Sequence, residues 1–288
     1  MSTTDRSSRI FAPGLLDGSV CVISGAGTGL GRATALELCG LGATVIGCGR
    51  REDPLSETAA LAEGLAGKFD RRTLDIRDEA AVAEFADGTV AEHGRVDCLV
   101  NNAGGQFLAP AESVTPKGFR TVTELNVQGT WQMTQSFAER AFIPQGGGKV
   151  ISVTISPHHG MPGMVHSGAA RAAVENMTRT LSVEWSRFGV RLVAIAAGQF
   201  DTEALRTKYP PQVVDAVAGT IPLGRLGTEE EFAWMVAFLA SPAGDFHSGS
   251  VITVDGARDN WFGSWPPAGA TDDSGEPVAE ERREADEG

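Results

Sequence analysis

Apolar residues along the chain gather into short runs separated by longer amphipathic stretches. The runs Val20–Ser24, Ala43–Gly47, Cys98–Asn101, Val150–Val153, Arg191–Ala196 and Val251–Val254 are bounded by Gly, Asn or Asp. They are too short for buried helices and read as strands buried on both faces. Between them, apolar positions recur at helical spacing over Gly29–Leu41, Glu57–Ala66, Glu79–His93, Gly118–Ala141, Gly168–Phe188 and Thr228–Ala240. Alternation on this scale predicts βαβ units with right-handed crossovers, hence a parallel sheet covered by helices on both faces. No repeat of solenoid period is visible, and one doubly wound α/β domain is expected.

Charge modifies this picture at one end. The 288 residues carry a formal net charge of −13, and 272–288 contribute eight acidic residues against two arginines. That segment has too little apolar surface to offset chain entropy and is expected to be a disordered acidic tail over 268–288. A flexible N-terminus is expected over 1–14, leaving a folded body over 15–267. The acidic balance excludes an electrostatic grip on nucleic acid or on an anionic membrane. Cys21, Cys39, Cys48 and Cys98 form no C-x-x-C pair, so free buried thiols in a reducing cytoplasm are expected, and no metal cluster. Met1–Ile10 lacks the apolar stretch of a signal peptide, and no run reaches membrane-spanning length.

The candidate chemistry begins where the first strand runs into Ser24-Gly25-Ala26-Gly27-Thr28-Gly29-Leu30-Gly31 and then a helix. Glycines there let backbone N–H groups approach a pyrophosphate, and the helix N-terminus adds partial positive charge. The spacing is G-x-x-x-G-x-G at Gly25, Gly29 and Gly31. The second strand ends in Gly49-Arg50-Arg51, without the carboxylate that holds a ribose 2′-hydroxyl in NAD binders. Arginines at that tip suit a 2′-phosphate, so NADP(H) is preferred, with NAD(H) second.

Together with Asp75-Ile76 after the third strand and Asn101-Asn102-Ala103-Gly104 after the fourth, this loop resembles the short-chain dehydrogenase/reductase superfamily from about Leu15 to Asp255. The resemblance implies a Rossmann-type, three-layer α/β/α domain. Asp75 and Ile76 would bracket the adenine, and Asn102, Ala103 and Gly104 would lie beside the cofactor. The stretches 101–107, 165–174 and 221–228 are similar to a narrower branch, the 2,4-dienoyl-CoA reductases. From that likeness follow a small-molecule substrate, such as an acyl-CoA thioester, and a homo-oligomer, dimer or tetramer, packed through the helix of 168–188. A substrate lid is implied around 200–221.

The catalytic pair departs from the family. Where the superfamily carries Tyr-x-x-x-Lys, this chain has Ser167 and Arg171, and its single tyrosine is Tyr209. The family's serine falls at Thr154 and its helix asparagine at Asn126. Of the Asn-x-x-x-Pro-Gly turn only Gly198 remains, beside Val193 and Ala197. In the mitochondrial type of the dienoyl-CoA branch, a tyrosine stands where this chain has Ser156. The branch tolerates loss of the tyrosine because hydride added to a conjugated carbon leaves an enolate, which donors stabilise electrostatically. Arg171, Thr154, Asn126 and Ser167 are the candidate catalytic groups, Arg171 also holding the nicotinamide ribose. His158, His159 and His166 are imidazoles able to supply a proton near neutrality. Three readings stay open: an NADP(H)-dependent reductase of an activated double bond, a nucleotide-binding scaffold or sensor without redox chemistry, and ordinary ketone reduction by an acid outside the motif.

Overall fold

The computed structural model describes residues 8–156, 158–208 and 211–261. The expected acidic tail, the end of the expected body over 262–267, Tyr209 and residues 1–7 lie outside the described residues. Seven strands form one parallel sheet: β1 (Val20–Ser24), β2 (Thr44–Gly49), β3 (Lys68–Thr73), β4 (Cys98–Asn101), β5 (Gly148–Ile155), β6 (Val190–Ala197) and β7 (Val251–Val254). Their spatial order is β3-β2-β1-β4-β5-β6-β7. Order reverses between β1 and β4, which pair in register from Cys21–Cys98 to Ser24–Asn101. Such a switch point opens a crevice at the carboxyl ends of the strands.

The inner strands are apolar on both faces because both faces are covered. Ile23, Val100 and Ile195 pack with Leu38 of α1 (Gly29–Gly40) and with Phe232 and Val236 of α10 (Glu229–Ala240). On the opposite face, Val22, Leu99, Val150 and Leu192 meet Val82 of α3 (Glu79–His93) and Met133 and Phe137 of α5 (Gly129–Phe137). Leu181 of α7 (Val165–Glu184) joins this second core. The result is the three-layer, Rossmann-type α/β/α domain that the apolar pattern and the family resemblance imply.

Three elements depart from the pattern in detail. Helix α2 runs Glu52–Ala62 rather than from Glu57: Pro54 suits the first turn, and Glu52 and Asp53 complement the helix dipole there. The stretch expected as one helix over 118–141 is α4 (Pro116–Thr123), α5 and α6 (Ile143–Gln145), joined by π-helical turns at Glu124–Gln128 and Ala138–Phe142. The segment after β6 holds two short helices, α8 (Glu203–Lys208) and α9 (Pro211–Ala218). All four cysteines are buried and free, and burial pushes the thiols of Cys39 and Cys48 up to about 12. Among the described residues, no helix is long and apolar enough to cross a membrane.

Candidate functional site

The turn after β1 is built by close backbone approach. Gly25 has φ +71°, and a Cβ there would stand 2.9 Å from Asn102 Nδ2 and 3.0 Å from Ala103 Cα. Its N–H donates to Cys48 O of β2 at 2.7 Å. Gly31 sits tighter still: a Cβ would come within 2.2 Å of Gly25 O. Ser24 Oγ accepts from the N–H groups of Asn102 (3.1 Å) and Ala103 (3.0 Å). Asn102 Nδ2 donates back to Ser24 O (3.1 Å) and Gly25 O (3.2 Å). This reciprocal bonding fixes the glycine turn against the 101–104 turn.

The turn leads into the N-terminus of α1. Thr28 occupies the N-cap but makes no side-chain hydrogen bond to the helix, and no acidic residue stands in the first turn. The orphan N–H groups there are left for a ligand. In front of them lies a cleft of about 230 Å³. Gly25, Gly27, Thr28 and Leu30 form its floor, and Arg50 and Arg51 its rim at the tip of β2. Asp75, Ile76, Asn102, Ala103 and Gly104 close the far wall. A glycine cradle and an uncapped helix end fit the pyrophosphate of a dinucleotide, and Arg50 and Arg51 stand exposed at the rim. The Asp75 carboxyl is not idle: Arg77 grips it at 3.0 and 2.5 Å and holds it below the usual carboxylate range.

Beyond Gly104 the cleft gives way to a polar cluster. A Cβ on Gly104 would stand 2.4 Å from Arg171 Nη2 and 2.7 Å from Asn126 Oδ1, so glycine is required for these groups to reach the turn. Arg171 Nη1 donates to Val153 O of β5 at 2.7 Å, whereas its buried Nε has no hydrogen-bond partner among the described residues. Burial pushes its guanidinium down to about 10, so it stays protonated at neutral pH. Asn126 Nδ2 donates to Gly105 O and Val122 O, each at 2.8 Å, and Oδ1 accepts from Gly105 N. Ser167 is fully buried, its hydroxyl donating to Gln106 Oε1 at 2.6 Å. Thr154 Oγ1 donates to Glu175 Oε1 at 3.0 Å.

The structure thus gathers Gly25, Gly27, Thr28, Leu30, Arg50, Arg51, Asp75, Ile76 and 102–104 around one cleft, with Arg171 and Asn126 behind Gly104. Ser24, Gly29 and Gly31 shape the turn without lining the cleft. Gly198 lies away from it, against Asp255 after β7, where a Cβ would meet Asp255 Cβ at 2.5 Å. Gly49, Pro54, Leu55, Leu74 and Leu125 also line the cleft. Sequence reasoning did not single these out, although Gly49 and Leu74 stand directly before residues that it did. Glu175, one helical turn after Arg171 on α7, was likewise missed; its signal is an acid flanked at four-residue spacing by Arg171 and Arg179.

This fold and cleft define a dinucleotide-binding protein of the Rossmann type. The chain belongs to the short-chain dehydrogenase/reductase family, whose members are oxidoreductases that bind NAD(P)(H): a family profile described as Enoyl-(Acyl carrier protein) reductase matches residues 25–257. It is similar to a peroxisomal 2,4-dienoyl-CoA reductase of Danio rerio, 36% identical over 259 residues, covering 88% of this chain and 85% of that protein. It is also similar to a 3-oxoacyl-[acyl-carrier-protein] reductase of Thermotoga maritima, 34% identical over 242 residues and 84% of this chain, 98% of the other. Among solved structures, a citronellol catabolism dehydrogenase of Pseudomonas aeruginosa superposes with a TM-score of 0.78 at 38% identity, covering 87% of this chain and 98% of that one.

Proposed function

We propose that the chain is an NADP(H)-dependent reductase of an activated double bond in an enoyl- or dienoyl-CoA-like thioester. The observation that carries this reading is the state of Arg171. Among the described residues it is the cation that reaches Gly104, held by a backbone carbonyl rather than a carboxylate, with a buried donor to spare. By the family resemblance, Arg171 and Ser167 take the positions of the lysine and tyrosine, and neither is a proton shuttle near neutrality: guanidinium does not release its proton, and a serine hydroxyl has too high a pKa. Ketone reduction makes an alkoxide that needs prompt protonation by a positioned acid. Hydride addition to a conjugated thioester makes a delocalised enolate, which a fixed cation stabilises.

Bound at the cleft, the nicotinamide supplies the hydride. Arg50 and Arg51 would hold the 2′-phosphate, Asp75 and Ile76 would bracket the adenine, and the backbone of 25–31 would receive the pyrophosphate. Arg171 would reach the nicotinamide ribose and the developing enolate oxygen, and Thr154, whose hydroxyl donates to Glu175, would act through that proton rather than as a second donor to the oxygen. Val165 and Val183 are exposed apolar residues of α7, which supports a homo-oligomer, dimer or tetramer, paired through that helix.

The engagement of Ser167 by Gln106 and of Asn126 by backbone favours a second reading, a nucleotide-binding scaffold or sensor without turnover. NADPH oxidation assayed with enoyl- and dienoyl-CoA thioesters and with simple ketones separates the two. Oxidation with a thioester but not with ketones is expected, and Arg171→Ala should lower it ~10²–10³-fold. Good ketone or alcohol turnover would overturn the enoyl reading, and tight NADPH binding with no thioester turnover would establish the scaffold.

A further inference from the structure

The reduction needs a proton as well as a hydride, and the residues behind Gly104 do not hold one to give. A chain of titratable groups does, on the β7 side of β5. Thr154 Oγ1 and His158 Nε2 both meet the same oxygen, Glu175 Oε1, each at 3.0 Å. His158 Nδ1 meets Asp259 Oδ2 at 2.5 Å, and its backbone N–H donates to Asp259 Oδ1 at 2.6 Å. Asp259 is itself set by its N–H donating to Asp255 Oδ2 at 2.7 Å. Exposure falls along this line: the side chain of His158 is 31% exposed, that of Glu175 7%.

Resting on the reductase reading, we infer that His158 and Glu175 are the proton supply of this site, acting as positioning residues through the Thr154 hydroxyl. The bonding dictates the order of events. While Glu175 is ionised, the single hydroxyl proton of Thr154 is directed to it at 3.0 Å, with Ile195 O the longer alternative at 3.4 Å. When imidazolium His158 passes its Nε2 proton to Glu175 Oε1, the carboxylic acid donates to Thr154 Oγ1 instead. The hydroxyl proton is then free to pass to the substrate carbanion as the proton of Glu175 replaces it. One proton leaves His158, one reaches the acyl carbon, the two electrons come from the hydride donor, and solvent reprotonates the half-exposed imidazole.

The surroundings of His158 support its resting charged. Burial alone would lower its pKa, but the hydrogen bond to Asp259 and the charges of Glu175 and Asp259 outweigh that and raise it above the ordinary imidazole value. Asp259 is likewise held below the carboxylate range, the His158 side-chain and backbone bonds outweighing its own burial. Among the described residues, the other charged groups facing this line are Asp255, His159, which lies 4.0 Å from Asp259, and Arg179, which approaches Glu175 Oε2 at 3.6 Å.

The test is the pH profile of NADPH oxidation with a short 2,4-dienoyl-CoA, together with NMR titration of the His158 ring in the full chain. Wild type should lose kcat as pH rises through the His158 midpoint, which should lie above ~6.5. His158→Gln should lower kcat about tenfold or more and abolish that alkaline limb, because positioned proton transfer contributes ~10²–10⁴-fold. Substrate KM and NADPH affinity should not change. Asp259→Asn should move both the limb and the NMR midpoint to lower pH, and Glu175→Gln should lower the midpoint and the rate. A wild type that turns over while His158→Gln keeps its rate and its alkaline limb overturns the relay alone. So does a His158 midpoint indifferent to Glu175→Gln and Asp259→Asn. A wild type that binds NADPH and reduces no thioester removes the reductase reading, and the relay with it.

Discussion

Substituting Gly31 by alanine is expected to damage both the fold and the cofactor site, for a reason that can be worked from distances. A Cβ at Gly31 would lie 2.2 Å from Gly25 O and 2.4 Å from Asn102 Nδ2, against a floor near 3.0 Å for real contacts. Neither neighbour is the tip of a flexible side chain. Gly25 O is backbone of the turn, and Asn102 Nδ2 is pinned to Ser24 O and Gly25 O. Overpacking of this kind costs ~1–3 kcal/mol. Loss of the two Asn102 bonds adds ~0.5–1.5 kcal/mol each. A total of ~2–6 kcal/mol lowers the melting temperature of a domain this size by roughly 4–24 °C. Displacing the turn also misaims the N–H groups of α1, so NADPH affinity by calorimetry should fall about tenfold or more. Gly49→Ala is the control: its Cβ would meet Leu55 at 3.8 Å, an ordinary contact, and Tm should hold. A Gly31→Ala protein with wild-type Tm and NADPH affinity would refute the reasoning.

Other substitutions probe separate parts of the structure. Arg50→Ala should weaken NADPH by ~1.5–3 kcal/mol, the worth of a charge-assisted bond, and leave NADH nearly unchanged; equal wild-type affinity for both cofactors would remove the 2′-phosphate assignment. Thr228 caps α10 by accepting from Glu231 N while Glu231 bonds back, so Thr228→Ala should cost ~1 kcal/mol in a urea melt. Arg225 and the Thr228 N–H hold the Glu231 carboxyl down to about 2. A depressed carboxyl contributes stability above its unfolded pKa of ~4.3 and loses it as pH falls towards the folded value. The stability gap between wild type and Glu231→Gln should therefore be widest near neutrality and narrow below pH ~4; a gap that does not narrow would dismiss the ion pair as its source.

The two kinds of residue in this site differ in how far the sequence reveals them. Gly25, Gly29, Gly31 and the Asn102-Ala103-Gly104 turn are legible because local backbone geometry dictates them: a strand must reverse into a helix over a bound phosphate within a few residues. Strands β1, β4, β5 and β6 are legible as apolar runs because helices cover both faces. Strand β3 is not, since Lys68-Phe69-Asp70-Arg71-Arg72-Thr73 lies at the sheet edge, half-buried to exposed, and shows no apolar run. Polar side chains with Lys and Arg are how an edge strand avoids pairing with another chain. The line from Thr154 through Glu175 and His158 to Asp259 is equally invisible, because it joins β5, α7, the loop between them and the turn after β7, segments up to 105 positions apart. Only the register of the sheet brings them together. The π turn at Glu124–Gln128 has no hydrophobic signature either, yet it contains Asn126, which ties the helix to Gly105.

The central claim is that hydride goes to a conjugated carbon of an acyl thioester. The direct measurement is a single turnover of NADPH deuterated at nicotinamide C4 with a 2,4-dienoyl-CoA, read by mass spectrometry of the acyl product. Deuterium in a carbon–hydrogen bond of a chain that has lost one double bond and kept its thioester is the expected result. Deuterium found instead on the carbinol carbon of an alcohol made from a 3-oxoacyl substrate, with the dienoyl chain unlabelled, would contradict it.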